Sequence, residues 1–98
     1  MKEINKIFKG GAIQQFFKSQ PINKAYLFGS VARGDDRFDS DIDIMVELDK
    51  NTDMFQFIGI KLQLEKIFNK TVDLISSNGI SPHLKPFIDK DKILIYEK

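Results

Sequence analysis

The chain has 98 residues, a length that suits one compact domain. Its hydrophobic fraction of 42 % excludes a disordered protein, and the absence of cysteine excludes both a disulfide framework and a thiolate metal site. No apolar run approaches the roughly 18 residues of a membrane span. We therefore expect a single domain over residues 1–98, located in the cytoplasm and not associated with a membrane.

The net charge of +1 conceals an acidic segment. Between Gly29 and Asp53 there are eight acidic and three basic residues, so the rest of the chain is basic. Such a segment is either a solvated loop or a site for a polyanion that is held through cations. The spacing of the acidic residues favours the second interpretation.

The first predicted elements are a helix and a strand. Apolar residues at intervals of three and four predict a helix over Lys2–Lys18, which the adjacent Gly10 and Gly11 weaken or break. Lys24–Phe28 is typical of a short buried strand. Ser30–Ser40 is charged and is predicted to form turns.

The next strand is predicted over Asp41–Leu48, where polarity alternates strictly. One face carries the apolar residues Ile42, Ile44, Val46 and Leu48. The other face carries Asp41, Asp43, Met45 and Glu47. The pattern predicts a half-buried strand that presents two carboxylates on its open face.

A helix predicted from a Thr52–Asp53 cap to Phe68 has two apolar groups. The group expected to pack on the sheet is Phe57, Ile60, Leu64, Ile67 and Phe68. The second group, on another side, is Met54, Phe55, Ile58 and Leu62. We expect the second group to pack under the first helix, and the alternative is a surface for a partner.

The remaining elements complete the sheet. Thr71–Ile75 predicts a third strand, with Asp73 pointing away from its apolar neighbours. Pro82 suits the first turn of a final helix that reaches about Asp89, and Ile93–Glu97 predicts an edge strand. This alternation indicates a small α/β or α+β sandwich.

The candidate site combines Gly29 and Ser30, at the end of one strand, with Asp41 and Asp43 on the next. Glycine lets a backbone N–H approach a phosphate closely, and the serine hydroxyl adds a donor. Two aspartates at positions i and i+2 lie on one face about 7 Å apart between Cα atoms, from where they can bridge two metal ions. Ligands that are all oxygen favour Mg²⁺ over Zn²⁺.

Two other phosphate or metal motifs fail at this segment. A calcium loop beginning at Asp39 would place Ile44 where glycine is needed and Lys50 where a bidentate glutamate belongs. A P-loop beginning at Gly29 would place two aspartates where the lysine and the Ser/Thr are required.

The segment LFGSVARGDDRFDSDIDIMVEL (Leu27–Leu48) resembles the G-S-x10-D-x-D signature of the polymerase-beta-type nucleotidyltransferase superfamily. The similarity is greatest to its minimal branch of short, free-standing domains, and VDLI around Asp73 extends the match. The resemblance implies an α+β fold, a short mixed sheet with helices packed on one side. The additional domain that grips base and acceptor in larger relatives is missing.

The resemblance also implies a role for each site residue. Asp41 and Asp43 would bind two Mg²⁺ ions, and Gly29 and Ser30 would bind the phosphates of a nucleoside triphosphate. Asp73 would join a metal and help to deprotonate the acceptor.

Three residues have competing interpretations. Arg33 suits a forked contact with the triphosphate and, equally, a surface ion pair with Asp35 or Asp36. Asp73 could instead be a structural carboxylate at a strand end. His83 is expected to be a surface residue.

The minimal branch resembles antitoxin partners of HEPN-domain RNases. This implies Mg²⁺-dependent transfer of AMP from ATP to a protein acceptor, the HEPN toxin. The alternative is a non-catalytic nucleotide-binding module that neutralises its partner by direct binding. We expect a homo- or hetero-oligomer and no direct nucleic-acid binding.

Overall fold

The computed structural model describes Phe8, residues 10–37 and residues 39–98. The elements in chain order are α1 (Gly11–Ser19), β1 (Ile22–Phe28), α2 (Gly29–Arg33), β2 (Ile42–Leu48), α3 (Met54–Phe68), β3 (Val72–Ser76), α4 (Lys85–Asp91) and β4 (Ile93–Glu97). Of the predicted first helix, residues 2–7 and 9 lie outside the described residues, and the portion from Gly11 onward is α1. No helix within the described ranges is long and apolar enough to cross a bilayer.

The four strands form one mixed sheet in the order β3-β2-β1-β4. β1 runs antiparallel to β2 and to β4, whereas β2 and β3 are parallel. A parallel pair requires a crossover connection, which α3 supplies. The predicted α+β class and the edge strand Ile93–Glu97 are confirmed.

The core lies between one face of this sheet and the helices α1 and α3. The apolar residues that alternate along β2 are buried as predicted, with Ile42, Ile44 and Val46 each exposed by 1 % or less. They belong to one cluster with Phe17 of α1 and Leu64 of α3. The opposite face of the sheet carries the odd-numbered residues of β2, and the candidate site lies on that face.

The second apolar group of α3 is exposed, so its predicted packing under the first helix is wrong. The exposed fractions are 68 % for Met54, 87 % for Phe55, 44 % for Ile58 and 55 % for Leu62. The helix turns only one arc towards the sheet, centred on Ile60 and Leu64. Ile67, predicted to lie in that arc, is 40 % exposed at its margin.

Two local predictions about helices are also wrong. Gly29–Arg33 forms the short helix α2 instead of turns, and five residues are too few to show a helical period. The last helix begins at Lys85 with Pro86 in its first turn, not at Pro82. Pro82 lies in a separate turn, closed where the Leu84 N–H donates to the Ser81 carbonyl.

Met45 was predicted to be on the open face and is nevertheless buried, with 4 % exposure. It pairs with Tyr26 on β1 and with Ile75 on β3, so large side chains flank it on both sides. The buried Met45 therefore separates the aspartates at the start of β2 from Glu47 towards its other end.

Candidate active site

The candidate site is a row of side chains across three strands. Asp43 on β2 is paired with Phe28 on β1 and with Asp73 on β3. Paired residues on neighbouring strands point to the same face, and the strands are about 4.8 Å apart. Asp41 immediately precedes β2 and is exposed. The sheet register therefore brings Asp43 and Asp73 side by side, with Asp41 one step along the strand.

Gly29 makes room for the Asp43 carboxylate. Its φ of 77° lies in the left-handed region, which glycine adopts without strain. A Cβ at this position would collide with Asp43 Oδ2 and lie 3.0 Å from its Cγ. The turn from β1 into α2 and the central aspartate thus depend on one another, and Ser30 follows in the first turn of α2, whose leading N–H groups have no partners within the helix.

The carboxylates interact electrostatically. Partial burial raises the pKa of Asp43 to about 6, and the negative charges of Asp73 and Asp41 add to this rise. The positive charge of Arg33 opposes it. Asp73 and Asp41 are thus close enough for their charges to act on Asp43.

Asp41, Asp43 and Asp73 form a candidate metal site. Among residues 10–37 and 39–98, no three acidic or histidine side chains converge closely enough to enclose an ion. The donor set is nevertheless all oxygen, and two of its members are neighbours in the sheet register. A divalent cation would offset the repulsion from Asp73 and Asp41, which adds to the effect of burial on the pKa of Asp43. The residues therefore fit Mg²⁺, which accepts few protein ligands and completes its shell with phosphate and water.

Arg33 forms ion pairs on the rim of the site. Its Nη1 donates to Asp91 Oδ2 at 2.7 Å, and its Nε donates to Asp35 Oδ2 at 3.2 Å. These hydrogen bonds, the one to Asp91 first, raise the pKa of the guanidinium. The structure thus shows the ion pair with Asp35, one of the two interpretations of Arg33. The contact with Asp91 was not predicted, because nothing in the sequence connects residues 58 positions apart.

An open cleft of about 290 Å³ adjoins the carboxylate row. On one side it is lined by Phe28, Gly29, Arg33, Asp73 and Ile75. On the other side it is lined by Leu84, Phe87, Ile88 and Asp91. The cleft thus unites three of the predicted site residues with α4. Asp41 and Asp43 belong to the carboxylate row, and Ser30 follows Gly29 in the chain; these three residues are not in the lining of the cleft. His83 is exposed as expected.

Glu65 holds the strand next to Asp73, a role that was not predicted from the sequence. Its Oε2 accepts hydrogen bonds from the Val72 N–H at 2.9 Å and from Lys61 Nζ at 3.0 Å. The bond from Val72, followed by that from Lys61, lowers the pKa of Glu65. The contact ties α3 to the residue that precedes Asp73. Only the fold distinguishes Glu65 from other glutamates on the surface.

Gly29→Ala is expected to destabilise the protein by about 1–3 kcal/mol, because alanine would be strained at this φ and would displace Asp43. Gly59→Ala is the matched control. Gly59 lies within α3 with no atom near its missing Cβ, so alanine should stabilise the helix by about 0.5–1 kcal/mol. Thermal unfolding of both variants measures the two effects, and equal shifts would show that Gly29 is not constrained.

Comparison with known families decides the class of this protein. The family model described as polymerase beta, nucleotidyltransferase, matches residues 11–98. The chain belongs to this nucleotidyltransferase family. The resemblance found in Leu27–Leu48 is thereby confirmed, and the protein is a nucleotidyltransferase. A Methanocaldococcus jannaschii protein named as a candidate protein adenylyltransferase is 43 % identical over 72 residues, which are 70 % of this chain and 72 % of that one.

Solved structures of toxin–antitoxin pairs share the fold. One, solved with AMP-PNP, has a TM-score of 0.75 at 21 % identity and covers 100 % of this chain and 75 % of the other. Another contains a tri-AMPylated Shewanella oneidensis HEPN toxin in complex with an MNT antitoxin. Its TM-score is 0.70 at 20 % identity, over 100 % of this chain and 74 % of the other. At these identities the similarity establishes the minimal nucleotidyltransferase fold.

Proposed function

We propose that this nucleotidyltransferase transfers AMP from ATP to a hydroxyl group of a protein partner, and that the partner is a HEPN-domain toxin. The observation that carries the proposal is the pairing of Asp43 with Asp73 beside the Gly29 turn. The 43 % identical relative, named for protein adenylyl transfer, supports AMP as the transferred group. The AMPylated toxin in a structural neighbour supports a HEPN protein as the acceptor.

In the proposed reaction an acceptor oxygen attacks the α-phosphorus of ATP. A bond forms between the acceptor and AMP, the bond to the β-phosphate oxygen breaks, and pyrophosphate leaves. Asp73, exposed beside the reacting phosphate, receives the proton of the acceptor hydroxyl. Gly29 and Ser30 hold the phosphates through backbone N–H groups and the serine hydroxyl. Arg33 pairs with the triphosphate in exchange for its exposed partner Asp35.

Asp41, Asp43 and Asp73 would hold Mg²⁺. When bound, Mg²⁺ supplies positive charge that stabilises the entering and leaving oxygens. The paired carboxylates of Asp43 and Asp73 lie on one face of the sheet, so a cation held there would be positioned at the end of β2.

The openness of the site favours a macromolecular acceptor. Asp41 and Asp73 are both exposed, and α4 provides the wall of the cleft beside them. A partner that docks against this edge would supply the wall that a larger nucleotidyltransferase builds from its additional domain. The acceptor hydroxyl would then be excluded from water on docking.

The test is a transfer assay with a HEPN-domain protein as the acceptor. We expect ATP labelled at the α-phosphorus to label the partner, and ATP labelled at the γ-phosphorus to leave it unlabelled, with one pyrophosphate released per AMP transferred. Label from the γ-position would indicate phosphoryl transfer and contradict the proposal. Tight binding of ATP and partner without any transfer would favour the non-catalytic module.

The exposed apolar group on α3 provides a prediction about the partner. Phe55→Glu combined with Ile58→Lys should abolish binding to the HEPN-domain protein, because it places two charges in the interface. Gln63→Lys, on an exposed polar position of the same helix, is the control and should bind normally. A pull-down measures binding, and circular dichroism verifies the fold. A folded double variant that still binds would remove this surface from consideration.

A further inference from the structure

We propose that the apolar part of the cleft holds the nucleobase of the triphosphate, with Phe87 stacked on the ring and Leu84 beside it. The inference rests on the proposed function and adds to it the residues that grip the base. Such a surface would let the described fold hold the base with its own residues.

The apolar side chains at α4 differ in burial. Ile88 anchors the helix, with 4 % exposure. Phe87 and Leu84 remain 69 % and 55 % exposed while lining the cleft. Neither side chain belongs to the hydrophobic core. An uncovered aromatic ring beside a phosphate-transfer site is suited to a ligand with an aromatic face.

The apolar lining of the cleft lies next to the carboxylate row. Ile75 lies on the same strand face as Asp73 and two residues further along, a step of about 7 Å. Gly29 and Asp73 line the cleft together with the apolar side chains of Phe28 and Ile75. A nucleotide with its α-phosphate at Asp73 would therefore extend its base over apolar side chains.

The size and charge of the cleft suit a single base. Its volume of about 290 Å³ is at the lower limit of ligand pockets, which begin at roughly 300 Å³. This suits one base with part of its sugar and is too small for a whole nucleoside triphosphate. Asp73, Asp91 and Arg33 line the same space, and the positive charge of Arg33 is balanced there by its hydrogen bond to Asp91. A neutral ring fits this environment.

The wall of the cleft formed by α4 is held in place by an ion pair with α2. Asp91, at the end of α4, has a side chain only 14 % exposed and receives the 2.7 Å hydrogen bond from Arg33 of α2. The bond joins α4 to the helix that follows Gly29. A wall positioned before the ligand arrives reduces the ordering that binding requires.

The experiment compares two ligands by calorimetry in the presence of Mg²⁺: ATP, and inorganic tripolyphosphate, which has the phosphates but no base. Phe87→Ala is expected to weaken ATP binding about ten-fold and to leave tripolyphosphate binding unchanged. Phe87→Trp should restore ATP binding, because it supplies a larger ring. Ile67→Ala removes an exposed apolar side chain outside the cleft and should alter neither affinity.

Each remaining outcome has a definite meaning. Unchanged ATP affinity in Phe87→Ala overturns the inference, and so does an equal loss of affinity for both ligands, since that reports a structural effect. An increased KM for the protein acceptor at unchanged ATP affinity assigns the cleft to the acceptor and also overturns it. If the unmodified protein binds no ATP, the proposed function fails as well. Leu84→Ala, with an expected smaller loss for ATP alone, is a second variant should Phe87→Ala unfold.

Discussion

Asp43→Asn is expected to reduce AMP transfer by at least about 100-fold while leaving the fold intact. Asp43 is the central carboxylate of the row, paired with Asp73 and packed against Gly29. Asparagine has the same shape and fits the same space, but it carries no negative charge for a cation. Activity and stability should therefore separate in this variant. The transfer assay measures the first, and circular dichroism the second.

The raised pKa of Asp43 adds a pH signature to this variant. An aspartate in an unfolded chain titrates near 3.9, whereas Asp43 titrates at about 6 in the folded protein. Ionisation of Asp43 is therefore less favourable in the folded state than in the unfolded chain. Its contribution lowers the free energy of unfolding as the pH rises from about 4 to 6, and the free energy stays lower above pH 6. Asparagine does not ionise. In metal-free buffer, the stability of Asp43→Asn relative to the unmodified protein should rise between pH 4 and pH 7, by about 1 kcal/mol after solvent screening.

Asp49→Asn is the matched control. It removes the same charge from the same acidic segment, one residue after β2 and on an exposed position. We expect normal transfer from this variant. If Asp43→Asn retains normal activity, Asp43 is not part of the machinery; if it unfolds, the carboxylate has a structural role. A loss of activity in both variants would indicate that the charge of the whole segment matters, and not the site.

The central strands were predictable because their side chains obey a simple period. Along β2 the burial of Ile42, Asp43 and Ile44 follows their alternation, so the face of Asp43 could be predicted, whereas Met45 on that same face is buried. The same holds for Asp73 between its two apolar neighbours on β3. What alternation does not give is the register between strands. The pairing of Asp43 with Asp73 depends on the crossover through α3, and the resemblance to a family supplied that expectation.

The wall of the cleft was not predictable from local pattern. Leu84 and Phe87 are spaced like core residues of a helix, and only the fold leaves them uncovered. The sequence predicts an ion pair of Arg33 with an adjacent aspartate, and Asp35 forms it. The shorter hydrogen bond of Arg33, however, goes to Asp91. Contacts between distant segments are set by packing of the whole sheet. The sequence therefore indicated the reacting end of the site and not the surface proposed for the base.

Removal of divalent ions is expected to weaken ATP binding by about 100-fold. Two like charges 4 Å apart cost about 4 kcal/mol at an effective dielectric of 20, and exposure to salt reduces this by about a third. Roughly 1.4 kcal/mol corresponds to each factor of ten in affinity. The carboxylates of Asp41, Asp43 and Asp73 would repel the triphosphate unless a cation lies between them. Calorimetry with Mg²⁺ and with EDTA measures the difference, and equal affinities would falsify the proposed metal dependence.

The same titration with Asp43→Asn gives the sharper result, because the sign of the effect should reverse. In EDTA the variant has one negative charge fewer and should bind ATP more tightly than the unmodified protein. In Mg²⁺ it lacks a ligand for the cation and should bind ATP more weakly. Asp49→Asn, which leaves the row intact, should follow the unmodified protein in both conditions. A variant that is weaker in both conditions would show that Asp43 shapes the site without acting through its charge.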